Sequence, residues 1–321
     1  MNGFLHQKKG HKHGCFYKNR VFLALILLIT NAFLLSSCYS GTGQPVFTQP
    51  SPLKTEETPL VHPPVTEYVT NIPDTTVVNT ATPNTTPFPF WEFKQFTPAE
   101  KMICITFDDG PSIYTKRIIE KLKDTDSKVT FFVLGNRLEV SSSTWSLATK
   151  SAIENGHEIG FHSYTHKENY TDLSDAELMD HINKTNEHLS KLGGEPVTLI
   201  RPVGGFRDKT KNYGYPCILW NVDVEDWRVN SSIKNGSMTY DEGVKILADM
   251  IAKQASSGSI VLLHDIYECS VDAFCLVYDK LSAEGYKFVT VSEMLGIEGK
   301  DASGYAFYST YTAYYLDKRC S

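Results

Sequence analysis

The sequence predicts an α/β fold in which helices cover a parallel sheet. Seven apolar runs alternate with helix-like segments between residues 93 and 298. Strands of a covered parallel sheet are buried on both faces, so continuous apolar runs are the pattern expected of them. Seven such repeats favour a closed or nearly closed barrel, and a doubly wound open sheet is the alternative. The predicted strands are 102–107, 129–133, 158–161, 197–201, 217–222, 260–264 and 287–291.

The segments between these strands have the pattern of helices. The clearest begins after Ser174, a good N-cap residue with Glu177 three positions on, which is the capping-box pattern. An apolar stripe follows, and Gly193 ends the helix. The predicted helices are 113–123, 145–155, 175–192, 240–256 and 271–284.

The first 38 residues have the layout of a secretory signal. A basic stretch between positions 8 and 20 precedes an apolar run, 21–35, which is short for a membrane span. Residues 35–38, which end at Cys38, resemble the lipobox of bacterial lipoproteins. That resemblance implies cleavage before Cys38 and lipid on its sulfur, whereas the alternative is an uncleaved N-terminal anchor. Both interpretations place the rest of the chain at the extracytoplasmic face of a bacterial cell membrane.

Three further regions follow the signal. Residues 39–92 are rich in Pro and Thr and lack apolar periodicity, which predicts a disordered tether. Residues 93–298 have the composition of a folded domain, and 299–321 form an aromatic-rich tail that either packs on the barrel or stacks on a bound ligand. The formal net charge of -6 and the lack of a basic stripe after Arg20 argue against nucleic acid as a partner.

The cysteine pattern leaves disulfide pairing open. Of seven cysteines, the first lies in the signal and the second is Cys38. Cys104 and Cys217 lie in apolar runs and are expected to be buried thiols. The remaining three could pair in an oxidising compartment in more than one way. These are Cys269, Cys275 and Cys320.

Five polar clusters follow the predicted strands. In βα architectures the reactive groups lie at the carboxyl ends of the strands, so these distant clusters are expected to meet in one cleft. Taken singly, each has a structural alternative, such as a helix cap, a strand-end histidine or an ion pair of Arg201 with Asp226. The clusters are 106–111, 162–166, 201–202, 223–227 and 262–264.

Together the clusters contain the groups that a metal-dependent hydrolase needs. His162 and His166 are four residues apart, so both imidazoles can reach one metal ion. With one of the two adjacent aspartates, Asp108 and Asp109, they form a ligand set suited to Zn²⁺ or another divalent transition metal. The other aspartate can accept a proton from water, and a third histidine, His264, can protonate a leaving group.

The order of these motifs resembles that of the NodB-type polysaccharide deacetylases, carbohydrate esterase family 4. The motifs are Thr-Phe-Asp-Asp-Gly-Pro, His-Ser-x-x-His, Arg-Pro, Asp-x-x-Asp-Trp and Leu-x-His, and the resemblance covers about residues 95–295. It implies a distorted (β/α)7 barrel, which agrees with the seven predicted strands.

The resemblance also implies roles for the central residues. Asp108 matches the general base of the family, and His264 matches the general acid. The ligands of the single divalent ion, expected to be Zn²⁺, match Asp109, His162 and His166.

Other positions match residues that support the chemistry. Arg201 matches an arginine expected to pair with Asp226 and to orient the base. Trp227 and Leu262 match residues that line the acetyl pocket. The family commonly has Arg-Pro-Pro-Tyr-Gly at the third motif, whereas this chain has Gly204 at the tyrosine position. The backbone N–H of that position helps to hold the oxyanion in the family, so Gly204 is expected to alter the shape of the groove rather than abolish the chemistry.

The expected function is that of a membrane-tethered, metal-dependent hydrolase that removes acetyl groups from N-acetylated polysaccharide. Peptidoglycan N-acetylglucosamine is the favoured substrate because the tether would hold the domain near the cell wall, and a monomer is expected. One alternative is an O-acetyl esterase acting on xylan-type glycans. Another is a glycan-binding module without catalytic activity.

Overall fold

The structure is a computed structural model that describes residues 100–209 and 211–309, together with the backbone of 312–315. The predicted signal, Cys38, the tether and Cys320 lie outside the described residues. In the part of the chain that is described, no helix combines the length and the apolar character needed to cross a membrane.

The described strands form one sheet of nine strands. They are β1 (Met102–Asp108), β2 (Thr130–Leu134), β3 (Glu158–Ser163), β4 (Cys217–Ile218), β5 (Val222–Asp223), β6 (Ser259–His264), β7 (Lys287–Phe288), β8 (Tyr305–Ser309) and β9 (Thr312–Tyr315). The path through the sheet runs β3, β2, β1, β6, β8 and β4. Strand β1 pairs in parallel with β2 and β6, and β2 pairs in parallel with β3.

Two single-residue bridges close this sheet into a ring. Phe161 of β3 pairs with Ile200, and Ile200 pairs with Cys217 of β4, both in parallel. The predicted fold class, a distorted (β/α)7 barrel, is therefore confirmed. The distortion lies on this side, where one strand position is reduced to Ile200.

Seven α-helices accompany the sheet in the described part of the chain. They are α1 (Thr115–Leu122), α2 (Thr144–Glu154), α3 (Asp175–Lys191), α4 (Asp226–Lys234), α5 (Tyr240–Gln254), α6 (Glu268–Ala283) and α7 (Val291–Leu295). Five of them match predicted helices within a few residues, and α4 and α7 were not predicted. The predicted capping box is present at α3, where Ser174 and Glu177 each bond to the other's backbone N–H.

Two predicted strands are shorter than their apolar runs. The run 197–201 contributes only the bridge at Ile200, because it is enclosed by Pro196 and Pro202, which cannot donate to a ladder. The run 217–222 divides into β4 and β5, because the chain changes neighbours there. It pairs with β8 at Cys217 and with β6 at Val222.

Alternate residues of the strands enter different parts of the core. From β1, Ile103 and Ile105 join the larger cluster, which also contains the buried residues of α1, α3 and α5. Met102 and Cys104 join a second cluster with Phe132 and other strand residues. Thr106 and Asp108 continue the second series, so the end of β1 directs its polar groups toward the barrel interior.

The predicted tail supplies part of this sheet. Strand β8 lies between β6 and β4, with Phe307 only 1% exposed. The predicted domain boundary at residue 298 therefore excludes β8, a buried strand of the sheet, from the folded domain. The short alternation around Tyr305 and Phe307 was too brief to identify it from the sequence.

The described cysteines are free. Cys104, Cys217 and Cys269 are buried, and Cys275 is partly buried. A disulfide between Cys269 and Cys275, one of the pairings left open by the sequence, does not form, because both residues lie on α6, where six residues separate them by about 9 Å along the helix axis.

Phe307→Ala is expected to destabilise the fold by about 3–5 kcal/mol, because it opens a cavity in the second core cluster. Urea unfolding followed by circular dichroism measures this change. Leu276→Ala is the control, since that side chain is 55% exposed. Equal stabilities for the two variants would show that β8 does not contribute to the barrel.

Candidate active site

The ends of three strands bring the predicted residues together. Asp108, the last residue of β1, lies opposite His264, the last residue of β6, in their parallel register. His162 lies near the end of β3, with its Nδ1 at 3.8 Å from Oδ2 of Asp108. The predicted convergence at the carboxyl ends of the strands is therefore observed.

Asp109, His162 and His166 form a cluster of three potential metal ligands. Oδ1 of Asp109 lies 3.3 Å from Nε2 of His162 and 3.2 Å from Nε2 of His166. One ligand atom from each residue lies within 4.8 Å of the other two. The Asp109 oxygen is buried and has no hydrogen-bond partner among the described residues. A buried carboxylate oxygen that faces two imidazole nitrogens fits a divalent metal ion.

Backbone contacts orient the two histidines. Nδ1 of His162 lies 2.8 Å from the carbonyl oxygen of Arg201. Because a carbonyl only accepts, Nδ1 carries the proton and Nε2 keeps a lone pair directed at the cluster. The Tyr170 hydroxyl donates to the carbonyl of His162 at 2.9 Å. His166 has a φ of 66°, and its N–H donates to Oγ of Ser163, which turns the second ring back toward the first.

Charges at the cluster shift the pKa values of its members. Burial would raise the pKa of Asp109, but contact with His162 and the charges of His162, His264 and His166 outweigh burial and bring it well below its usual range. Burial would lower the pKa of His162, but Asp108 and Asp109 raise it. Burial lowers the pKa of the more exposed His166. The carboxylate is therefore held in the ionised form that a metal ligand requires.

Arg201 holds the candidate base. Its guanidinium is fully buried, and Nη1 donates to Oδ1 of Asp108 at 2.8 Å and to Oγ1 of Thr106 at 2.6 Å. The remaining guanidinium contacts are to two carbonyl oxygens and two rings. They are Ile218 O at 3.0 Å, Leu219 O at 3.1 Å, the Phe132 ring centre at 4.0 Å and the Trp220 ring centre at 5.6 Å.

The predicted pairing of Arg201 with Asp226 is wrong. Arg201 points into the barrel toward β1, whereas Asp226 begins α4 beside β6. Oδ1 of Asp226 lies 2.7 Å from Nδ1 of His264. Its Oδ2 accepts the backbone N–H of His264 at 2.8 Å and the Ser270 hydroxyl at 2.6 Å. Arg201 therefore contacts the candidate base Asp108, whereas Asp226 contacts the candidate acid His264.

Asp226 raises the pKa of His264. Burial alone would lower the pKa of His264, but the charge and hydrogen bond of Asp226, with the charges of Asp109 and Asp108, outweigh it and raise the pKa to about 10. His264 is therefore protonated at neutral pH and suited to donate a proton.

Each of the three residues expected to contact substrate is close in sequence to a residue of this centre. Gly204 lies in the short turn Val203–Gly205 after Arg201, with a φ of 57° that suits glycine. Leu262 precedes His264 on β6 and is 6% exposed. Trp227 follows Asp226 in the first turn of α4 and is half-buried.

Several residues of the site were given no role from the sequence. Thr106 belongs to the first motif and shares the inward face of β1 with Asp108, and the period of two residues along a strand could have indicated its contact. Tyr170 and Ser270 carry no such signal, because their contacts depend on how distant segments pack together. Asp265 is fully buried beside His264, and burial raises its pKa to about 7 although a hydrogen bond from Thr115 opposes that rise.

The geometry defines a class of protein, a barrel with a candidate metal centre between a candidate base and a candidate acid. Residues 96–216 match the family model described as polysaccharide deacetylase. The chain is 36% identical over 200 residues to PdaC, a peptidoglycan-N-acetylmuramic acid deacetylase of Bacillus subtilis. That match covers 61% of this chain and only 39% of PdaC.

Two further matches cover a larger share of the protein to which this chain is compared. A peptidoglycan-N-acetylglucosamine deacetylase of Bacillus cereus is 35% identical over 207 residues, which are 61% of this chain and 89% of that protein. The solved structure of the B. subtilis PdaC is 34% identical, with a TM-score of 0.53, and covers 64% of this chain and 94% of the solved chain. The chain therefore belongs to the polysaccharide deacetylase family, as its motifs indicated.

Asp226→Asn is expected to lower the pKa of His264 by at least about one unit, because it removes a negative charge that favours the imidazolium. NMR titration of the histidine ring in metal-free protein measures this pKa. Ser270→Ala, which removes one hydrogen bond but no charge, is expected to have a smaller effect. An unchanged pKa in folded Asp226→Asn protein would refute the assigned pairing.

Proposed function

We propose that this chain is a metal-dependent deacetylase that removes acetyl groups from N-acetylated peptidoglycan. The observation that carries the proposal is the arrangement of the cluster of Asp109, His162 and His166 between two separate ionic pairs. One pair contains the candidate base, Asp108, and the other contains the candidate acid, His264. An acyl hydrolysis needs both groups at one reaction centre.

The proposed ion is Zn²⁺, held by Asp109, His162 and His166. Two imidazoles and one carboxylate are a common catalytic zinc set, although other divalent transition metals accept the same ligands. A family 4 acetyl xylan esterase from Clostridium thermocellum, 25% identical with a TM-score of 0.51, was solved with cobalt. A divalent ion bound here supplies Lewis acidity toward the acetyl carbonyl and toward water.

The side chains account for the proton transfers. Asp108, whose carboxyl group accepts a hydrogen bond from Arg201, accepts a proton from the attacking water. His264, kept protonated by Asp226, donates a proton to the departing sugar amine, and acetate is released. The backbone N–H of Gly204 is the proposed donor to the oxyanion, and Trp227 and Leu262 are the proposed walls of the acetyl pocket.

The proposed substrate is peptidoglycan. PdaC acts on N-acetylmuramic acid and the B. cereus relative on N-acetylglucosamine, as their names state, and we favour N-acetylglucosamine for this chain. We further propose a lipid-anchored monomer at the extracytoplasmic face of the membrane, held at Cys38 by the tether. Such an anchor keeps the domain within reach of the wall.

An O-acetyl esterase is the second candidate. It is supported by a bifunctional xylanase/deacetylase of Pseudobutyrivibrio xylanivorans, which is 30% identical over 207 residues, covering 63% of this chain and 32% of that protein. A binding module without activity is less well supported, because such a module has no need of the base, the acid and the candidate ligands together.

Asp108→Asn and His264→Ala are each expected to reduce acetate release from N-acetylated glycan oligomers by about 10²–10⁴-fold, the usual contribution of a general base or acid. A coupled acetate assay at saturating Zn²⁺ measures the rate. Asp279→Asn is the matched control, because its exposed carboxylate pairs only with Lys121 among the described residues. Near wild-type rates in either site variant would remove its assigned role.

Purified cell wall is expected to release acetate with the wild-type protein, to stop doing so after chelation, and to resume when Zn²⁺ is restored. Parallel assays on O-acetylated xylan oligomers separate the two hydrolase candidates. Faster release from xylan would favour the esterase, and glycan binding without release from any substrate would favour the binding module.

A further inference from the structure

Asp265 is a buried carboxyl group for which the reaction supplies no role. It follows the candidate acid His264 directly and has no exposed surface. Its Oδ1 has no hydrogen-bond partner among the described residues. A buried carboxylate oxygen without a partner costs free energy, so its presence beside a reaction centre calls for an explanation.

The hydrogen bonds of Asp265 go to the loop after β1, which carries the candidate metal ligand Asp109, and to the first residue of α1, where that loop ends. The Thr115 hydroxyl donates to its carboxylate, and the Ser112 hydroxyl donates to its backbone carbonyl at 2.6 Å. The N–H of Ser112 donates in turn to Oγ1 of Thr115 at 2.7 Å. Side chain and backbone of Asp265 are therefore bound to the same loop.

Gly110 fits directly against this carboxyl group. A Cβ at Gly110 would lie 2.7 Å from Cγ of Asp265, closer than real contacts allow. Gly110 is the neighbour of Asp109, whose φ of 69° is a left-handed value that is strained for a residue with a side chain. Such a conformation persists only when the surroundings hold it.

The other side of the loop is held from β2. The N–H of Leu134 donates to the carbonyl of Gly110 at 2.8 Å. Nη1 of Arg137 lies 3.1 Å from the carbonyl of Pro111. The loop is thus enclosed between the end of β2 and Asp265, and Asp265 is its link to the strand that carries His264.

We propose that Asp265 is a positioning residue that fixes the backbone of Asp109, so that its carboxylate meets His162 and His166. Asp265 also ties the metal-ligand loop to the strand end of the acid, which sets the distance between the ion and His264. This inference rests on the proposed metal site. It gives Asp265 a role in metal affinity and turnover but none in contact with substrate.

The test compares metal affinity in four variants of the full chain. Asp265→Ala removes the carboxyl group, Asp265→Asn keeps its shape, and Thr115→Val removes only the hydroxyl donor. Asp272→Asn is the matched control, since that carboxylate bonds to Arg117 and Tyr240, away from the loop. The dissociation constant of Zn²⁺ is measured by competition with a chromophoric chelator, beside the melting temperature of the metal-free protein.

Asp265→Ala is expected to weaken Zn²⁺ binding by about 10–100-fold, the usual effect of losing a group that supports a ligand. Asp265→Asn and Thr115→Val are expected to weaken it less, and Asp272→Asn to leave it unchanged. At saturating Zn²⁺, Asp265→Ala should lower kcat with little change in KM.

A fall in melting temperature without a change in Zn²⁺ affinity would overturn the proposal, because it would show a purely structural role. If Asp265→Ala does not fold, the Zn²⁺ affinity of Thr115→Val tests the proposal instead. An unchanged Zn²⁺ affinity in Thr115→Val would also overturn the proposal. Metal binding is measured apart from acetate release. A wild-type protein that binds Zn²⁺ but releases no acetate would therefore refute the proposed function and leave this inference standing.

Discussion

The buried guanidinium of Arg201 is the constraint on which the rest of the site depends. An uncompensated charge inside a barrel is very unfavourable, so every donor of this group must find an acceptor. Its side chain holds Asp108 and Thr106 of β1, while its backbone carbonyl accepts a hydrogen bond from Nδ1–H of His162. One residue therefore fixes the candidate base through its side chain and a candidate metal ligand through its backbone.

The two ionic pairs of the site involve different residues. Arg201 donates a hydrogen bond to the carboxyl group of Asp108, and Asp226 favours the protonated form of His264. Each charged partner is buried and contacts only one of the two candidate groups. A proton acceptor and a proton donor, on strands that pair directly, are the requirement for hydrolysing an amide.

Much of this could be predicted because it follows from local pattern. The long strands β1 and β6 are continuous apolar runs, α3 has its capping box, and the clusters at strand ends identified both carboxylates and all three histidines. The partner of Arg201 could not be predicted in this way. The partner of Asp226 could not be predicted either, because it depends on Glu225, whose φ of 49° turns the chain so that Asp226 faces His264. Strand β8 was missed because a long-range pairing, rather than its own short pattern, places it in the sheet.

The proposed centre requires three side chains from distant strand ends to bind one divalent ion together. Titration of the metal-free protein with Co²⁺, followed by visible absorption, tests this most directly because the spectrum reports both the number of sites and their ligands. We expect the protein to be saturated at one equivalent of Co²⁺, with a spectrum that is lost when both His162 and His166 are replaced by Ala. Absence of any bound ion, or a spectrum that survives both replacements, would contradict this proposal.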